Sequence, residues 1–155
     1  MAMDATSVEA LSALRTSVLA LLPAVADPAL QPSVVIQPLT ISPLGLGGFV
    51  GIHDDPVGDI VGRRVEAIAL VGVKAPADGL DAAVAGAITA LLAADRATLL
   101  GHGLLRIAVD KIGEATSGAD PVQQPVSFRV LHEFLKTPTA PEDVIQSIPV
   151  NVQLG

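Results

Sequence analysis

Apolar residues recur along this chain with two periods, one helical and one alternating, and the switches between them outline a fold. Val8, Leu11, Leu14, Val18, Leu21 and Leu22 recur at helical intervals, and Thr6 with Glu9 three residues later has the spacing of a capping box. A first helix is expected over residues 7–22, stopped by Pro23. Residues 33–41 are rich in β-branched side chains and read as a strand. Pro38 cannot donate to a ladder, which puts that strand at a sheet edge or on a bulge. Residues 48–53 are its expected pairing partner, and the turn formers Asp54, Asp55, Pro56, Gly58 and Asp59 then lead into a long apolar strand over 60–75.

Unbroken, that strand would run about 50 Å, well beyond the usual length. Either its first half projects from the body as a hairpin, or Gly62 or Gly72 breaks it. Between Ala67 and Val73 both faces are apolar, the mark of a strand covered on each side. Asp78 is a candidate N-cap for a second helix over 80–94, whose apolar stripe is Leu80, Val84, Ile88, Leu91 and Leu92. Alternation returns over 104–112, with Leu105, Ile107 and Val109 opposite Arg106 and Asp110. It returns again over 126–135, with Val126, Phe128, Val130 and Phe134 opposite Ser127, Arg129 and Glu133. The polar residues 113–125 between them read as a long loop. The order is α-β-β-β-α-β-β, a single α+β domain (1–155) with a mostly antiparallel sheet and two packed helices. Its body spans 7–135 and an apolar C-terminal arm spans 137–155. Ile148, Val150 and Val152 of that arm should be buried, on their own subunit or on an adjacent one.

Composition narrows what such a domain does. A chain of 155 residues buries roughly 68–70% of its unfolded surface without metal or disulfide, consistent with the absence of cysteine. Three Phe and no Trp or Tyr leave almost nothing on which bases could stack. Nine basic against sixteen acidic residues give a net charge of −7, the wrong sign for gripping phosphates. Residues 28–52 carry no charge, but four prolines and four glycines make a spanning helix untenable, and no membrane partner is expected. Asp4, Glu9 and Arg15 do not fit a signal peptide, so a cytosolic site of synthesis and assembly is expected.

Candidate chemistry is sparse. His53, Asp54, Asp55 and Asp59 have metal-ligand chemistry, yet their spacing matches no calcium loop and suits an acidic turn. His132 and Glu133 begin like a zinc-protease helix, but Lys136 stands where the second histidine is required. Gly45, Gly47, Gly48 and Gly51 precede a strand with no Lys-Ser or Lys-Thr, which fits a turn better than a phosphate loop. No nucleophile elbow occurs, and His53, His102 and His132 lie in separate elements. No catalytic residue, cofactor or metal is therefore expected. Arg63 and Arg64 face opposite sides of the long strand, so one of them could meet Asp54, Asp55 or Asp59 of a neighbouring copy.

The stretch Gly-Arg-Arg-Val-Glu-Ala-Ile-Ala-Leu-Val-Gly-Val (62–73), the helix after it and Val-Ser-Phe-Arg-Val-Leu-His-Glu-Phe (126–134) resemble the central portion of tail terminator proteins of long-tailed bacteriophages. Cap proteins of contractile injection particles are similar. The resemblance is one of element order over about residues 7–152, since that family has no diagnostic motif or catalytic residue to carry over. It implies a virion-tail protein forming a sixfold ring on the last ring of a tail tube. Such a ring stops tube polymerisation, offers a joint to the neck or head connector and lets DNA pass through its lumen. The inter-subunit contacts would then involve Asp54, Asp55, Asp59, Arg63, Arg64, Ile148, Val150 and Val152. Two other expectations stand beside it: a tail tube or neck adaptor ring subunit, and, from another class, a small soluble enzyme or ligand-binding domain with its pocket between helix and sheet.

Overall fold

The long apolar run forms one uninterrupted strand, and the rest of the fold is arranged about it. The computed structural model describes residues 4–54, 57–116, 118 and 120–137. Within them the order is α1 (Ala5–Leu21), β1 (Ser33–Pro43), β2 (Phe49–Asp54), β3 (Val57–Ala75), α2 (Leu80–Leu92), α3 (Arg96–Gly101), β4 (Leu104–Ile112) and β5 (Val122–Lys136). The sheet is antiparallel in the order β1-β3-β5-β4, with β2 also on β3. This is a single α+β domain with a five-stranded, mostly antiparallel sheet and two long helices packed on it.

Neither β1 nor β2 has the partner that the chain order implies. Both pair with β3, β1 along 63–72 and β2 along 57–61, so they lie end to end beside the same strand. Gly45, Gly47 and Gly48 all have positive φ, and Leu46 and Phe49 exchange backbone hydrogen bonds of 3.0 and 3.2 Å across Gly47-Gly48. A two-residue turn with both central residues at positive φ suits glycine, and this one lies in the loop between β1 and β2, which run in the same direction along β3. Leu44 N–H donates to the Gly62 carbonyl, and Gly62 N–H donates to the Gly48 carbonyl. A side chain at position 62 would sit 2.9 Å from Leu135 and Leu44, so Gly62 allows three segments to converge rather than breaking the strand.

The core lies on one face of the sheet. Val65, Ala67, Ala69 and Val71 of β3, with Val126, Phe128 and Val130 of β5 and Val34 of β1, are buried beneath Ala10, Leu14 and Val18 of α1 and Val84, Ala87 and Leu91 of α2. The expected cover on both faces is not found, because among the described residues α1 and α2 lie on this one side only. The intervening Glu66, Ile68 and Leu70 are half-buried. Cross-strand neighbours shield them instead: Ile68 lies between Gln37 and Arg129, and Leu70 between Val35 and Ser127.

Local signals shifted by a few residues. Asp4, not Thr6, caps α1, its carboxylate accepting from Ser7 N–H at 2.7 Å, and Glu9 pairs with Lys136 at 2.8 Å instead of folding back. The buried stripe of α1 accordingly becomes Ser7, Ala10, Leu14 and Val18, leaving Val8 exposed. Asp78 does not cap α2, which starts from a short 3-10 turn at Gly79. The expected second helix ends at Leu92, and Asp95 caps a short α3, accepting from Thr98 N–H at 2.7 Å. The 113–125 loop is shorter than expected. Thr116 N–H donates to the Gln123 carbonyl, Gly113 N–H to the Pro125 carbonyl and the Gln124 side chain to the Gly113 carbonyl, extending the β4–β5 hairpin.

Candidate functional site: an open hairpin and an open sheet edge

At the Val61 level β3 has Phe49 of β2 on one side and Lys136, the last residue of β5, on the other. Among the described residues it pairs with β2 alone from Val57 to Ile60, so there the β2–β3 hairpin runs on past the rest of the sheet. Its pairs Asp54–Val57 and Ile52–Asp59 share one face, since directly opposed residues in an antiparallel pair point the same way and alternate along it. That face holds two carboxylates and two aliphatic side chains. Val57 is 79% and Ile52 66% exposed, unusual for β-branched residues in a regular strand. A two-stranded ribbon is at best marginal alone in water.

The charged residues singled out in the sequence separate into two groups. Asp54 and Asp59 stay on the hairpin and are exposed. Arg63 is drawn to the start of α1, bonding Asp4 at 3.0 Å and the Gly62 carbonyl at 2.8 Å, while Arg64 bonds Glu133 across β3 and β5 at 2.7 Å. Both arginines thus have partners within their own chain. Asp4, bonded to Ser7 and Arg63, has its carboxyl lowered to about 2. Asp55, Ile148, Val150 and Val152 lie outside the described residues.

Among the described residues the opposite edge of the sheet is β4, which pairs only with β5. Two bulges, at Leu104–Arg106 and Val109–Lys111, set its side chains so that Ile107, Val109 and Ile112 lie on the helix side and Arg106, Ala108 and Lys111 on the other. Arg129 of the neighbouring β5 bonds Glu66 at 2.6 Å, and its guanidinium is held more firmly charged by Glu66 and, to a smaller extent, Asp110. Arg106 and Lys111 form no ion pair among the described residues. The alternation over 104–112 located this strand, but its unpaired cations were not legible without the strand order.

The remaining chemistry is limited. Among the described residues no three His, Asp or Glu side chains come together as a metal site. His132 is 3% exposed on the core face, with Nδ1 buried and without a hydrogen-bond partner. Burial pushes its imidazolium below the ordinary range, against weaker opposite pulls from the His102 backbone and the Glu133 carboxylate. Gly103 makes room for that ring: it has φ +74°, and a Cβ there would lie 2.5 Å from the Glu133 carbonyl oxygen and 3.0 Å from His132 Nε2. A cavity of about 250 Å³ opens between α2 and the α1–β1 connection, lined by Leu22, Val25, Leu30, Val73 and Ala83 with Lys74 as its one charged group. No helix is long and apolar enough to cross a membrane among the described residues.

No protein-family model matches the chain, and no curated protein matches it either.

Proposed function

We propose that this protein is a structural subunit of a homo-oligomeric ring, most simply a hexamer, that caps the end of a phage-type tail tube. In that role it stops polymerisation and forms the joint to the neck or head connector, without enzymatic turnover. The observation that carries this is the β2–β3 hairpin, which leaves the sheet with Ile52 and Val57 in water. A monomer gains nothing from exposing them, whereas an assembling subunit buries them on a neighbour. The α+β fold agrees with the element order of tail terminators, and the net charge of −7 suits a lumen through which DNA passes without being held.

Negative-stain imaging of the purified protein mixed with tail tubes tests this. Density confined to one tube end supports a terminator. Incorporation along the tube supports the tube-subunit alternative, and tubes left bare contradict both.

The cavity beside α2 favours a second reading, a binding domain for a small apolar molecule. Its volume falls below the roughly 300–1,000 Å³ of typical ligand pockets and it lacks convergent polar groups, so it ranks behind the ring.

A further inference from the structure

We infer that the ring closes by docking the β2–β3 hairpin of one copy on the β4 edge of the next copy, the one hairpin face that carries Asp54, Asp59, Ile52 and Val57 lying on the side of β4 that carries Arg106, Ala108 and Lys111. This docking presupposes the ring assembly proposed above and names the surfaces that make it.

Two observations converge on it. The first is position. β2 lies on the β1 side of β3 and β4 is the strand at the far side of β5, so the two surfaces sit at opposite edges of one sheet. A closed ring with head-to-tail contacts needs two unlike patches placed apart in this way, whereas a two-fold contact would use one patch against itself. The second is charge. The hairpin face carries Asp54 and Asp59 with no cation, and it would repel its own copy. The β4 edge carries Arg106 and Lys111 without ion-pair partners among the described residues, while its one acid, Asp110, lies near the Arg129 guanidinium. Like meets unlike only when hairpin meets edge.

The chain has no cysteine, so each introduced thiol is unique. An Asp54→Cys chain mixed with a Lys111→Cys chain and oxidised should give a covalent dimer containing one of each. Either chain alone should give far less. Arg106→Glu should raise the apparent dissociation constant of the assembly by about tenfold, and adding Asp54→Lys and Asp59→Lys to it should restore assembly. Rings of unchanged mass with Arg106→Glu, or disulfides mainly between two Asp54→Cys chains, would overturn the docking. A wild-type ring that yields no mixed disulfide sinks the docking alone; a wild-type protein that stays monomeric sinks ring assembly and the docking together.

Discussion

His132 is the residue whose environment departs furthest from what its identity prefers. Its imidazole sits in the core with Nδ1 unpartnered, and burial depresses its pKa below the ordinary value near 6.5. A histidine held neutral in the folded state but free to take a proton when unfolded contributes stability above pH 6.5, lost as pH falls toward its lower folded value. Urea midpoints measured from pH 7.5 to 5 should therefore decline, and His132→Gln should flatten that decline; an unchanged slope would place the titration elsewhere. Asp4 works in a more acidic window. Its carboxyl, lowered to about 2 from 3.8, contributes stability that disappears between about pH 4 and pH 2. Asp4→Ala should remove that part of the acid titration and fray the start of α1, read by circular dichroism. Neither role was legible from sequence: the capping box drew attention to Thr6, and His132 was weighed only as the start of a zinc motif that Lys136 breaks.

At the scale of elements, period was a good guide to type and a poor one to partners. The helix at Leu80–Leu92 and the strands β3, β4 and β5 stand where apolar spacing placed them. Strand pairing depends on contacts far apart in sequence, so β1 and β2 were matched to each other when both belong to β3. The six-residue α3 has no apolar stripe long enough to register and falls between the expected helix over 80–94 and the expected strand over 104–112, where no element was expected. Apolar residues on both faces of β3 implied two covering layers. Neighbouring strands, including the stem of Arg129, instead shield the second face in part. The hairpin yields a prediction at this scale. Ile52→Ser with Val57→Ser removes exposed apolar surface that makes little contact within the monomer, so unfolding free energy should change by no more than about 0.5 kcal/mol while self-association weakens sharply. Loss of folding with assembly intact would show that these side chains serve the subunit itself.

As a whole, the described residues form a one-sided core, with an extended hairpin at one edge of the sheet and, at the other, the strand β4, paired on one side only. Among the described residues the sheet lacks the closure that up-and-down barrels use to remove sheet edges. The single-domain α+β character was readable from the order of periods alone. The candidate site was readable only as ingredients, acids beside an apolar strand and arginines within it. The fold then paired Arg63 and Arg64 inside the chain and left Arg106 and Lys111, among the described residues, outside any ion pair.

The central claim, that the chain is built to assemble, is tested most directly by its mass in solution across concentration, measured by light scattering. Assembly into a hexameric ring predicts a species of six 15.7 kDa chains, about 94 kDa, growing with concentration and closing without larger polymers. A constant 15.7 kDa at every concentration, with or without tail tubes, would contradict it.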